Sequence, residues 1–268
     1  MFQEYYGFRA SPFSRNIPTT DLFPSSGHQE LRARLTYLLR ETGIGLVTGE
    51  VGSGKSTALR AFAEGLDPNR YLVLYLANPA LGMTGVYRDM ATNLSLSPAF
   101  FKPQMVAQIR QALQDLYLQK RRAPVILFDE AHLLGPAMLE ELRLLLNHHM
   151  DAESLATLVL VGHSELRRKL RLAVHEALFQ RLAVRYHLGP LDLEETAAYI
   201  KHHVRVAGYT GGQLFSDDFV AKAFDYTKGI PRKLNVVCIH ALMAGFVERK
   251  QVLDEGTLRR VINDLEMD

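Results

Sequence analysis

Residues 49–56 of this 268-residue chain read Gly49-Glu50-Val51-Gly52-Ser53-Gly54-Lys55-Ser56 and satisfy G-x-x-x-x-G-K-[ST] at every fixed position. The glycines let the backbone curl until its N–H groups converge on phosphate oxygens, and a helix starting at the loop adds its positive N-terminal end. In such a loop Lys55 is expected to reach the β- and γ-phosphates of a nucleotide, Ser56 to ligate Mg²⁺, and Thr57 to complete the binding set. A second group of residues lies 74 positions beyond Lys55, where the apolar run Pro124-Val125-Ile126-Leu127-Phe128 ends in Asp129-Glu130. A carboxylate at that place sits beside Mg²⁺, usually through a water, and leaves Glu130 to orient or deprotonate an attacking water. The two groups together describe a Mg-ATP site of the hydrolytic kind.

Such a site needs strands to aim the loops. The stretch 43–48 is a short apolar strand leading into the glycine loop, and 56–65 has helical character after it. Further apolar strands are expected at 71–77, 124–128, 155–161 and 183–188, with helices over 29–40, 104–120, 136–150 and 165–181. Apolar strands alternating with helices imply a parallel sheet covered on both faces. Past Gly189-Pro190 only helical patterns recur, over 193–206, 219–226, 231–246 and 257–265. The expected organisation is an aromatic, Pro- and Ser-rich strap over 1–30, an α/β core over 31–190 and a small all-α lid over 191–268. Phe8 and Phe13 of the strap leave two readings open, shelter for an adenine ring or packing of the strap itself.

Composition narrows the class. With 47% hydrophobic and 22% charged residues the chain is not disordered. The longest apolar run, Val236 to Val247, falls well short of the roughly 20 residues of a membrane helix. One cysteine, Cys238, excludes an internal disulfide framework and thiolate zinc clusters, so a reducing cytoplasm is the expected compartment. Cys238 itself reads as a small core residue. The adjacent pairs His148-His149 and His202-His203 split around a helix and do not converge on a metal, so they read as surface or interface histidines. Net charge is +2, with 21 Lys+Arg against 17 Asp+Glu in residues 1–190 and 10 against 12 in residues 191–268. That asymmetry is a mild pointer to a polyanion facing the first part.

With these motifs in place the chain resembles the AAA+ ATPases from about residue 25 to its end. The resemblance implies an α/β P-loop NTPase fold with a helical lid, the cofactors ATP and Mg²⁺, and a homo-oligomer, ring or filament, whose sites form between subunits. Asn78, in Leu76-Ala77-Asn78-Pro79, stands where the family often has a polar switch residue; a turn-former before proline is the other reading. His163 or Ser164, in Val161-Gly162-His163-Ser164, occupies the sensor position in place of the commoner Asn or Thr. Arg181, before the last strand, matches the family's arginine finger, with Arg185 as a second candidate. Arg232, in Gly229-Ile230-Pro231-Arg232, matches the second sensor, whose arginine contacts the γ-phosphate from the lid.

More narrowly, Tyr5-Tyr6-Gly7-Phe8, Pro12-Phe13, His28-x-Glu30 and Leu160-Val161-Gly162-His163-Ser164-Glu165-Leu166 resemble the ExeA-type subgroup, whose relatives include TniB, TnsC and IstB-like transposition ATPases. Secretion-type members carry a membrane segment and a cell-wall-binding module after the ATPase, and this sequence shows neither. The expectation on these grounds is an ATP-dependent, oligomerising transposition helper that recruits or activates a transposase, acting in the cytoplasm with no membrane partner. An ATPase assisting assembly of a secretion apparatus is the alternative. Two basic clusters, Lys120-Arg121-Arg122 and Arg167, Arg168, Lys169 and Arg171, would give salt-dependent, sequence-independent contacts to duplex DNA. No helix-turn-helix signature accompanies them.

Overall fold

The computed structural model describes residues 1–77, 81–148 and 153–267. In chain order the elements are α1 (Phe2–Tyr6), α2 (Ser26–Glu41), β1 (Ile44–Gly49), α3 (Lys55–Glu64), β2 (Tyr71–Leu76), α4 (Gly82–Asn93), α5 (Lys102–Gln114), β3 (Ala123–Phe128) and α6 (Pro136–Leu146). They continue as β4 (Asn147–His148), β5 (Glu153–Ser154), β6 (Thr157–Gly162), α7 (Ser164–Leu170), α8 (Glu176–Gln180), β7 (Leu182–Leu188), α9 (Leu193–Val206), α10 (Asp217–Thr227), α11 (Pro231–Val247) and α12 (Glu255–Met267). Two compact units result, one of His28–Val51 with Lys55–Leu188, the other of Met1–Gly27, Gly52–Gly54 and Gly189–Asp268.

The first unit is built on a five-stranded sheet in the order β2-β3-β6-β1-β7, every pair parallel. Alternation along each strand decides which helices each face covers. Val125 and Leu127 of β3, with Val159 and Val161 of β6, pack on Leu31, Leu35 and Leu38 of α2 and Leu59 and Phe62 of α3. Ile126 and Phe128, with Leu158 and Leu160, point the other way, to Met90, Met105, Ile109 and Leu142 from α4, α5 and α6. Both faces are dry, which is why these strands read as continuous apolar runs. The pairing Phe128↔Leu160 and Thr48↔Gly162 brings the ends of β1, β3 and β6 to one edge of the sheet. The loops that follow those three strands hold the glycine loop, the acidic pair and His163.

Several boundaries differ from the periodic reading. The expected helix 165–181 is two, α7 and α8, separated by a 3-10 turn at Ala173–His175. The expected helix 136–150 ends at Leu146, where the chain extends into β4 and pairs with β5. Helix α4 lacked a strong apolar stripe in the sequence and was not anticipated; Val86, Tyr87, Met90 and Ala91 are its buried face.

The second unit packs α9 to α12 around Phe219, Leu234, Val237, Leu242 and Leu258. Helices α9 and α10 begin where side chains cap them. The Asp192 carboxylate accepts from the Glu195 N–H at 2.7 Å and the Ser216 hydroxyl from the Phe219 N–H at 3.2 Å, worth about 1 kcal/mol each. Tyr6, Phe8 and Phe13 are buried in the same core, so the N-terminal aromatics serve strap packing. Cys238 is fully buried there, and burial raises its thiol pKa. His203 corrects a surface expectation: it is 4% exposed and stacked on Phe13 at 5.3 Å between ring centres. Its neighbour His202 splits away, with Nε2 2.7 Å from the Asp21 carbonyl oxygen.

Candidate functional site

Strand β1 ends at Gly49, and Gly52 and Gly54 take φ of +85° and +94°, a left-handed backbone open to glycine at little cost. Helix α3 then starts at Lys55, so the loop ends on a helix N-terminus. The Lys55 ammonium is buried and donates to the carbonyls of Gly49 at 3.0 Å and Glu50 at 2.7 Å. Those bonds hold the charge against its own loop, where a phosphate would compete for it. Ser53 Oγ is buried with no hydrogen-bond partner, a polar atom whose cost is relieved by an incoming acceptor. Val51 is exposed and Thr57 half-buried.

The acidic side is assembled by three donors. Ser56 Oγ and the Tyr75 hydroxyl each donate to Asp129 Oδ2 at 2.9 Å, and the Glu130 N–H donates to Oδ1 at 2.9 Å. Asp129 is 5% exposed, so every one of these bonds acts in a medium of low dielectric. Burial, then the bond to Asp129, raises the Tyr75 pKa above its ordinary value, which keeps the phenol a donor at neutral pH. The paired hydroxyl and carboxylate are the hard oxygen donors that Mg²⁺ prefers, so the residues present fit that ion. Tyr75 was not singled out from the sequence because its role depends on β2 lying beside β3, with Tyr75 paired to Leu127.

Glu130 follows with φ +53°, an uncommon backbone for a residue with a Cβ. Its carboxylate lies 3.2 Å from His132 Nδ1 and 3.6 Å from His163 Nε2, and the two imidazoles lie 4.2 Å apart between centres, tilted by 41°. His163 therefore reaches the acidic residue beside Asp129 from the end of β6. His132 was missed in the sequence, although Asp129-Glu130-Ala131-His132 placed it two residues from Glu130.

The remaining expected residues divide. The Arg232 N–H donates to the Gly52 carbonyl at 3.2 Å, and a Cβ placed on Gly52 would lie 2.7 Å from Arg232 Cβ. Pro231 opens α11 and so sets Arg232 against Gly52. Arg181 caps α8 and donates to Asn147 Oδ1 at 2.8 Å. Burial, then the charge of Arg143, lowers its pKa. Arg185 is exposed, its guanidinium 4.0 Å from the Phe179 ring centre, and donates to the Phe179 carbonyl at 2.9 Å. Asn78 lies outside the described residues.

Among the basic clusters, Arg122 donates to the Tyr71 carbonyl at 3.2 Å, and Lys169 donates to the carbonyls of His132 and Leu134. These two cations are engaged in holding the fold. Arg167 and Arg171 line a cavity of about 250 Å³ with Arg185 and His187, while Lys120, Arg121 and Arg168 are exposed. Among the described residues, no helix is long and apolar enough to cross a membrane.

The fold is that of an AAA+ P-loop NTPase: a parallel five-stranded sheet flanked by helices, with a glycine loop and an acidic strand end at one edge. Such a fold implies nucleotide binding. Residues 38–170 match the family model described as AAA domain. The general secretion pathway protein A of Aeromonas hydrophila is 32% identical over 262 residues, which cover 96% of this chain and 47% of that protein. The chain thus spans about half the length of that curated relative. Among solved structures, Cdc6p from Pyrobaculum aerophilum superposes with a TM-score of 0.69 at 16% identity, covering 94% of this chain and 70% of that one. The Aeropyrum pernix ORC1 protein, solved in complex with DNA, gives 0.69 at 15% identity, covering 97% and 70%. The Thermotoga maritima RuvB Holliday junction branch migration motor gives 0.59 at 18%, covering 90% and 70%. At these identities the likeness is one of fold.

Proposed function

We propose that this chain is a Mg²⁺-dependent ATPase whose cycle drives an assembly step of a secretion apparatus. The observation that carries the catalytic half is the Ser56–Asp129 hydrogen bond with Glu130 adjacent to it. Lys55 and the loop N–H groups would bind the β- and γ-phosphates. Mg²⁺, when bound, offsets phosphate charge, and Ser56 and Asp129 are the residues to hold it. Glu130 takes a proton from water as the water oxygen attacks the γ-phosphorus, the bond to the β,γ-bridging oxygen breaks, and ADP leaves with inorganic phosphate. Arg232 would sense the γ-phosphate. Arg181 or Arg185 would act on a neighbouring subunit's nucleotide in a homo-oligomer, which makes turnover depend on assembly.

The secretion half rests on the 32% identity to the general secretion pathway protein A. That relative favours the secretion reading over the transposition helper expected from the sequence. Because the chain spans 47% of it, the missing membrane and cell-wall segments do not separate the two readings. Recruitment of a transposase gains no support from the relatives named above. Direct DNA binding rests on Lys120, Arg121, Arg167, Arg168 and Arg171, since Arg122 and Lys169 are tied to backbone carbonyls.

Turnover measured with and without duplex DNA at low salt tests the choice. Phosphate release that needs Mg²⁺, Lys55 and Glu130 and is unchanged by DNA supports the proposal. ATP-dependent DNA association with stimulated turnover would return the chain to the transposition reading.

A further inference from the structure

Glu130, His132 and His163 form a group that the hydrolytic scheme does not use as a whole. One ligand atom from each lies within 4.8 Å of the others. Two of the separations are 3.2 Å, from Glu130 Oε2 to His132 Nδ1, and 3.6 Å, from Glu130 Oε2 to His163 Nε2. Two atoms each about 2.0–2.1 Å from a tetrahedral ion stand roughly 3.3–3.4 Å apart, so both separations suit a shared ion.

The two imidazoles are brought together by topology. His163 follows β6, and His132 sits in the 3-10 turn Ala131–Leu133 that follows β3, the neighbouring strand. Gly162 permits the approach: a Cβ there would lie 3.1 Å from the His132 backbone nitrogen and 3.0 Å from Leu166 Cδ2. His132 Nδ1 is buried and makes no hydrogen bond, even beside the Glu130 carboxylate. A buried ring nitrogen in that condition is costly unless something accepts its lone pair or its proton.

We propose that Glu130, His132 and His163 bind a transition-metal ion of the Zn²⁺ class, and that the bound ion withdraws Glu130 from the attacking water and stops ATP turnover. Two imidazoles and one carboxylate are a donor set for zinc, whereas the all-oxygen pair Ser56 and Asp129 suits Mg²⁺. The two ions are therefore separated by ligand chemistry within a few residues of chain. The ligand set leaves a fourth position for water. The inhibitory half rests on the reading of Glu130 as general base; the binding half does not.

The test uses the whole chain. Zn²⁺ binding is measured without nucleotide, by competition with a chromogenic zinc chelator, for the parent, His132→Asn and His163→Asn. Turnover is measured at fixed saturating Mg²⁺ while Zn²⁺ is raised. Nucleotide binding by each variant, through the separate Lys55 loop, shows that it is folded. The expected result is one Zn²⁺ per chain, affinity at least tenfold weaker in both folded variants, and parent turnover suppressed about 100-fold or more and restored by a zinc-selective chelator. Zinc binding that is absent, or indifferent to both substitutions, overturns the site. Histidine-dependent binding with turnover unchanged upholds the metal site and overturns Glu130 as the base.

Discussion

Ser56 Oγ donates to Asp129 Oδ2 at 2.9 Å across 73 residues of chain, and Tyr75 donates to the same oxygen at the same distance. The hydroxyl at the head of α3 and the carboxylate past β3 are thus already together, and a third strand supplies the group that steadies them. An ion entering here would displace one hydrogen bond and keep the other, so Tyr75 would set the angle at which Asp129 meets it.

Tyr75→Phe removes that donor and leaves the ring. Losing a hydrogen-bonding partner of a metal-ligating carboxylate typically costs 10- to 100-fold in metal affinity. The Mg²⁺ concentration for half-maximal turnover is expected to rise about tenfold, with ATP affinity of the metal-free protein unchanged. A titration of turnover against Mg²⁺ reads this directly, and an unshifted midpoint would remove Tyr75 from the site.

Lys55→Ala and Glu130→Gln separate binding from chemistry. Without Lys55, whose ammonium now rests on the carbonyls of Gly49 and Glu50, fluorescent-nucleotide binding is expected to disappear. Glu130→Gln should retain binding and lose about 10²- to 10⁴-fold in turnover, the usual worth of a general base, trapping the ATP-bound assembly. Parent-like behaviour of both variants would mean that the site lies elsewhere.

An arginine finger acts on another subunit, which allows complementation. Arg181→Ala is expected to lose about 10³- to 10⁵-fold in turnover. Mixed with Lys55→Ala, it should regain activity, because each inactive subunit supplies what the other lacks. No recovery would point to the local role of Arg181, its bond to Asn147. The same mixing with Arg185→Ala then tests the second candidate.

Stability of the helical unit should depend on acid through His203. Burial, then His202, lowers the His203 pKa to about 4, whereas an unfolded histidine titrates near 6.5. The unfolded chain therefore binds the proton first as pH falls, and stability present above about pH 6.5 is lost progressively down to about 4. At most about 3–4 kcal/mol is involved, at roughly 1.4 kcal/mol per pH unit. Unfolding midpoints of the parent should drop across that window more steeply than those of His203→Gln. Parallel slopes would rule out His203 as the source.

The sequence determined the phosphate loop, the acidic pair, the alternation of strands and helices, and the helical character of the region after Gly189. Those features are local: a motif of eight consecutive residues, an apolar run of five, and periodicities of two and 3.6 residues. It also led to the expectation that Ser56 and Asp129 serve one Mg²⁺, from the helices and strand that lie between them. What it did not supply are relations between strands far apart in the chain. Tyr75 bonds Asp129 because β2 pairs with β3, and His132 meets His163 because β3 pairs with β6 and Gly162 has no Cβ to hold the turn away. The adjacent pair His202-His203 invited judgement as a pair, yet one ring is stacked in a core on Phe13, nearly 200 residues away, and the other faces Asp21. Sequence spacing measures distance along the chain, whereas a polar group answers to whatever burial places beside it. Tertiary structure alone decided which residues surround Glu130.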